Sequence, residues 1–116
     1  YRTEELQYMA TVNNIVIDQG TTFSFTVNLT NDDGTKKDLT NYTVTSQMRK
    51  SYYTTTYTSF NTAQIDLEGQ ITISLTASQS SAVKAGRYVY DIEIASSTET
   101  LRIMEGIVTV TPEVTK

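Results

Sequence analysis

Asp91 and Glu93 stand two residues apart, so on an extended backbone both carboxylates leave the same face. Two carboxylates on one surface are the equipment of a glycosidase, one as acid and the other as base or nucleophile. Tyr90 and Ile92 alternate with them, however, which sends the apolar side chains inward and the acids toward solvent or a neighbouring chain. There they oppose edge-to-edge association, and no catalytic residue is assigned. A second acidic group, Asn31-Asp32-Asp33-Gly34 with Asp38, suggests calcium at first sight. An EF-hand loop needs an acid at its twelfth position, and counting from Asn31, Asp32 or Asp33 lands on Tyr42, Thr43 or Val44. The run is therefore expected to be a hairpin turn, because Asn, Asp and Gly tolerate positive φ. The chain has no His and no Cys. That removes the commonest general base, thiolate metal sites and every Ser-His or Cys-His arrangement, so neither metal nor cofactor is expected.

The remaining chemical signal is aromatic. Tyr52, Tyr53, Tyr57 and Phe60 form a cluster whose rings offer apolar contact area and whose hydroxyls can hydrogen-bond. This is the candidate partner-contact surface, with cover of a sandwich edge and a carbohydrate platform as the alternatives. Asn28-Leu29-Thr30 and Asn41-Tyr42-Thr43 match the glycosylation acceptor pattern. Thr is about a fifth of the chain, so such matches arise by chance; the same bias toward Thr and Tyr favours strands.

The elements that would hold these residues are short and extended. Thr11 to Asp18 reads as a first strand. Thr21 to Thr30 alternates Phe23, Phe25, Val27 and Leu29 with polar residues, as a half-buried strand requires. Tyr42 to Lys50 places Tyr42, Val44, Ser46 and Met48 on one face. Tyr52 to Thr62 reads as an edge strand or ordered loop, and Ile71, Ile73 and Leu75 mark another strand. Thr76-Ala77-Ser78-Gln79 matches a capping box opening one or two helical turns that Gly86 stops. Arg87 to Ala95 turns Tyr88, Tyr90, Ile92 and Ile94 inward. Leu101 to Thr111 is the last strand, with a bulge expected at Glu105-Gly106 and closure at Pro112.

Lys84-Ala85-Gly86-Arg87-Tyr88-Val89-Tyr90 resembles the turn entering strand F of immunoglobulin-type domains. The resemblance implies a tyrosine corner, with Gly86 at the turn and the Tyr88 hydroxyl bonding backwards across it. Tyr90 would take the place of the second cysteine and Met48 that of the tryptophan, with Phe25 or Val27 facing them. The expected fold is all-β, an immunoglobulin-like sandwich of about seven to eight antiparallel strands with one short helical turn. Residues 1–10 are expected to be an extension or arm, and residues 11–116 the domain.

A broader resemblance covers most of the chain. Ile17-Asp18-Gln19-Gly20-Thr21, Lys37 to Tyr42, Ser46 to Lys50, Leu75-Thr76-Ala77, Ala85 to Ile92 and Glu105 to Pro112 look like small virion proteins of tailed bacteriophages. They are similar to the immunoglobulin-like N-terminal domain of phage baseplate upper proteins. The resemblance implies a non-enzymatic structural component of the particle, in tail, baseplate or capsid, assembled in the host cytoplasm. Its partners would be other virion proteins and copies of itself. An adhesin or carbohydrate-binding module on a fibre or cell surface is the alternative. Formal net charge is -4 and no cluster of Lys and Arg occurs, so nucleic acid is not an expected partner. No run approaches the roughly 18 apolar residues of a helical membrane span, and no membrane partner is expected.

Overall fold

The alternation of apolar and polar side chains turns into two facing sheets in the computed structural model, which describes residues 11–114. The arm expected over residues 1–10 lies outside the described residues. In β3 (Phe23–Asn28), Phe23, Phe25 and Val27 are half-buried while Ser24, Thr26 and Asn28 are exposed. It pairs antiparallel with β7 (Gln70–Leu75), whose Ile71, Ile73 and Leu75 are buried; β6 (Asn61–Ile65) flanks β7 on the other side. The second sheet runs from β1 (Thr11–Val12) and β2 (Ile15–Asp18) through β9 (Thr100–Thr111), β8 (Gly86–Ala95) and β4 (Thr43–Arg49) to β5 (Tyr57–Ser59). The orders β3-β7-β6 and β9-β8-β4 are those of an immunoglobulin-like sandwich.

Between the sheets lie Ile17, Met48, Ile71, Ile73, Leu75, Ile92, Ile94, Val108 and Val110, each almost wholly removed from water. Burying an Ile, Leu or Val side chain contributes about 1.5–3 kcal/mol, so this layer is the main source of stability. Two polar side chains share the interior, and both are satisfied. The Ser46 hydroxyl donates to the Asp91 carbonyl at 2.7 Å, and that of Ser80 to the Thr21 carbonyl at 2.7 Å.

The expected tyrosine corner is present: the Tyr88 hydroxyl donates to the Lys84 carbonyl at 2.6 Å. Beside it, α1 (Ala77–Ser81) begins with the capping box. The Thr76 hydroxyl accepts from the Gln79 amide at 3.1 Å, and the Gln79 side chain accepts from the Thr76 amide at 2.8 Å. This helix ends before Gly86, which instead opens β8 at φ 147°.

Four expectations need correction. Not all strands are antiparallel: there are nine among the described residues, and β1 and β2 run parallel to β9. The stretch from Thr11 to Asp18 is also interrupted at Asn13 and Asn14. The break is held from three sides: Asn13 donates its amide to the Glu105 carbonyl at 2.9 Å, its carbonyl accepts from the Tyr90 hydroxyl at 2.5 Å, and the Asn14 side chain accepts from the Ile107 amide at 3.0 Å. A Cβ on Gly106 would overlap the Asn13 carbonyl. Gly106 is thus a close-approach residue and not a bulge, since it stays in register with Tyr90. The register shift comes earlier in β9, where Met104 opposes Ile92 and Arg102 opposes Glu93, leaving Ile103 as the extra residue.

The fourth correction is Phe60. The run from Tyr52 to Thr62 is a loop followed by a change of sheet, with β5 in one layer, β6 in the other and Phe60 alone between them. The Phe60 amide donates to the Ser46 carbonyl at 2.9 Å. Its side chain is 5% exposed, with ring centroids 5.9 Å from Phe23 and 6.5 Å from Tyr90. A residue that crosses from one layer to the other has only the interior into which to point its ring.

Candidate contact surface and grooves

Without Phe60, the predicted cluster is three tyrosines at one end of the sandwich. Tyr52 and Tyr53 sit in the loop between β4 and β5, 70% and 94% exposed, and Tyr57 opens β5 at half exposure. The loop is built by its own polar side chains. The Arg49 guanidinium donates to the Thr54 carbonyl at 2.6 Å and to the Gln47 side chain at 3.0 Å, and the Ser51 and Thr54 hydroxyls bond at 2.9 Å. Arg49 also lies 4.9 Å over the Tyr57 ring, and Lys50 lies 4.8 Å over Tyr88. Such cation–π contacts orient the rings. Among the described residues the β5 edge pairs only with β4.

Two grooves adjoin this loop. The first, about 330 Å³, lies on the outer face of the larger sheet, where Gln47, Asp91 and Glu105 stand in one row across three strands and Thr45, Glu93 and Arg102 in the next. Arg102 ties the acids together, with Nε 3.5 Å from Asp91 and 3.8 Å from Glu93, and a terminal nitrogen 3.4 Å from Glu105. Asp91 and Glu93 thus face outward as expected, inside an ion-pair network. Burial raises the Asp91 pKa first and the Glu93 charge next; Arg102 opposes them, and Glu105 raises it further. Three acids face Arg102 and, at the groove's edge, Arg49, which leaves an excess of one negative charge.

The second groove, about 410 Å³, opens at the end of the sandwich between β5 and the segment after α1, with Met48, Val83 and Tyr88 in its floor and Lys50, Tyr57 and Lys84 among its walls. Nothing local in the sequence marks Arg102, Lys50 and Lys84 as groove residues. Strand register sets Arg102 against Glu93, whereas Lys50 and Lys84 meet because the segment after α1 packs beside the end of β4.

The acidic turn is a turn. One Asp33 oxygen accepts from the Thr35 amide at 3.0 Å and hydroxyl at 2.6 Å, and Asp38 does the same for Thr40 at 2.8 and 2.6 Å. These bonds lower both carboxyl pKa values. Among the described residues no group of three or more acids, His or Cys could hold a metal ion. No helix there is long and apolar enough to cross a membrane. Asn28 bonds to Gln70 at 3.3 Å, and Asn41 adopts φ 77° in a turn.

No family model and no curated protein matches the chain. Among solved structures it is similar to InlP of Listeria monocytogenes, with a TM-score of 0.50 and 15% identity over 90% of this chain and 28% of that one. It also aligns with the N-terminal four Ig domains of Dscam1 isoform 7.44, with a TM-score of 0.45 and 14% identity over 89% of this chain and 23% of that one. The chain thus spans less than a third of either structure. At 15% identity the likeness to InlP concerns fold alone; with the strand orders described above, the chain is an all-β, immunoglobulin-like sandwich.

Proposed function

We propose that this chain is a non-enzymatic structural component of a bacteriophage particle, associated with tail, baseplate or capsid, and that it acts by burying surface against other virion proteins and copies of itself. The observation that carries the contact role is the exposure of Tyr52 and Tyr53 on a loop ordered by Arg49 and Thr54. Large rings held out by a rigid backbone lose little conformational entropy when a partner covers them, and Tyr is enriched at contact hot spots. The virion assignment draws its support from the succession of segments, Ile17 to Thr21 through Glu105 to Pro112, that resembles tailed-phage proteins. Immunogold labelling of particles of the encoding phage, with antibody raised against the purified chain, tests it. Regular decoration is expected; unlabelled intact and partly disassembled particles would sink the assignment.

The groove on the outer face favours a second reading, an adhesin or carbohydrate-binding module. Tyr52 at its rim with Gln47, Asp91 and Glu93 inside supplies a ring to stack on a sugar and acceptors for its hydroxyls. Glycan-array binding that disappears in Tyr52→Ala supports this reading, and a blank array removes it.

A further inference from the structure

Charge is unevenly divided between the two ends of the sandwich. At the end where β3 leads into the hairpin and β8 turns into β9, Asp32, Asp33, Asp38, Glu68 and Glu99 are all exposed. Lys36 is there too, but engaged with Glu68, and Lys37 lies 5.1 Å over the Tyr42 ring. At the opposite end Lys50 and Lys84 are exposed along the second groove with half-buried Arg49 beside them, and Arg87 is exposed nearby on β8; exposed Asp18 and half-buried Glu113 share this end but stand outside the groove's lining. No carboxylate lines that groove, and among the described residues none pairs with Lys50 or Lys84.

We infer that the two ends are complementary halves of a contact between copies, the acidic hairpin tip of one copy seating in the basic groove of the next. This rests on the proposal that the chain works through protein contacts, and names the surfaces and the partner. The tip projects: nothing lies within 4 Å of where a Gly34 Cβ would stand. Asp33 and Asp38, held by Thr35 and Thr40, keep their charge into acid solution. The groove, about 410 Å³, is lined by the Tyr57 and Tyr88 rings, with a cation above each. The exposed Tyr52 and Tyr53 adjoin it and would enlarge the covered area.

A second copy is the occupant because complementarity is a property of this one chain. With a net charge of -4, copies bearing evenly spread charge would repel. Separation into poles reverses the sign for end-to-end approach alone. The contact joins different patches on the two copies, so it generates a ring or an open filament and not a twofold dimer.

Sedimentation velocity on the full chain tests the proposal. At about 0.1 M salt the sedimentation coefficient should rise with concentration, and at about 1 M it should fall to the monomer value, as the screening length shrinks from about 10 to about 3 Å. Lys50→Glu with Lys84→Glu should weaken association about tenfold or more, as should Asp33→Lys with Asp38→Lys. An equimolar mixture of the two reversed chains should associate one to one, and the chain carrying all four changes should regain self-association. A monomer at every salt concentration, association indifferent to either reversal, or a fourfold variant that stays monomeric would overturn the proposal. Lys84→Gln and Asp33→Asn give the same test with smaller losses if a reversal impairs folding. Particle labelling is a separate measurement, so the virion assignment can stand while this contact fails, and the reverse.

Discussion

Replacing Phe60 by alanine separates a core residue from a contact residue. The ring is 5% exposed and meets Phe23 at 5.9 Å and Tyr90 at 6.5 Å, so its removal empties the seam where the chain passes between layers. A buried Phe→Ala change costs about 3–5 kcal/mol through lost transfer energy and the cavity left behind. The total stability of a domain is about 5–15 kcal/mol, so the variant should fold with little margin. The melting temperature should fall by roughly 12–20 °C, at about 4 °C per kcal/mol for a domain of this size. Urea melts followed by circular dichroism give the comparison, with Tyr53→Ala as the control. Tyr53 is 94% exposed, and its truncation should stay within about 0.5 kcal/mol of the parent. The slope of the transition should hold for both, confining the effect to the midpoint. A Phe60→Ala midpoint indistinguishable from that of Tyr53→Ala would refute the placement of Phe60 in the core.

Three further outcomes follow from the geometry. Tyr88→Phe removes the corner hydrogen bond at 2.6 Å and should lose about 0.5–1.5 kcal/mol in the same melts; an unchanged midpoint would mean the bond contributes nothing. Gly106→Ala forces a methyl group against the Asn13 carbonyl and should destabilise by about 1–3 kcal/mol, with faster amide exchange at Asn13 as its local sign. The Asp91 pKa is raised in the folded chain by burial and by Glu93, so folding favours its protonated form. That contribution is complete below the ordinary carboxylate range and is lost as pH rises through the raised folded value. Asp91→Asn should therefore raise the urea midpoint at neutral pH and leave it unchanged in acid, and a lower neutral midpoint would contradict the sign.

Much of the fold was legible because local pattern and final burial coincide. The alternation through Phe23, Phe25 and Val27, or through Tyr90, Ile92 and Ile94, states which side chains go inward, and the structure places them so. The turn at Asn31, the capping box at Thr76 and the corner at Tyr88 are closed within five residues or fewer, hence visible in a short window. What was hidden depends on distant partners. A period of two at Ile15 and Ile17 gives a strand but not its direction relative to β9, which lies at the other end of the chain. The Thr- and Tyr-rich run around Tyr57 looks uniform, so nothing local marks Phe60 as the point of crossing. Glycine at 106 suggested a bulge, whereas the interruption it accommodates is at Asn13, on another strand. The basic groove is assembled from Lys50 and Lys84, which only the packing of α1 against the sandwich brings together.

The parallel course of β2 and β9 governs how this unit could be joined to others. From Thr11, level with Met104, to Thr111 the net displacement is that of the strands themselves, seven residues or about 23 Å. A neighbour fused ahead of Thr11 and another fused behind Thr111 would consequently be held apart by the body of the sandwich. Repeated units would string out as beads along a rod, whereas a hairpin arrangement at that edge would fold them back side by side.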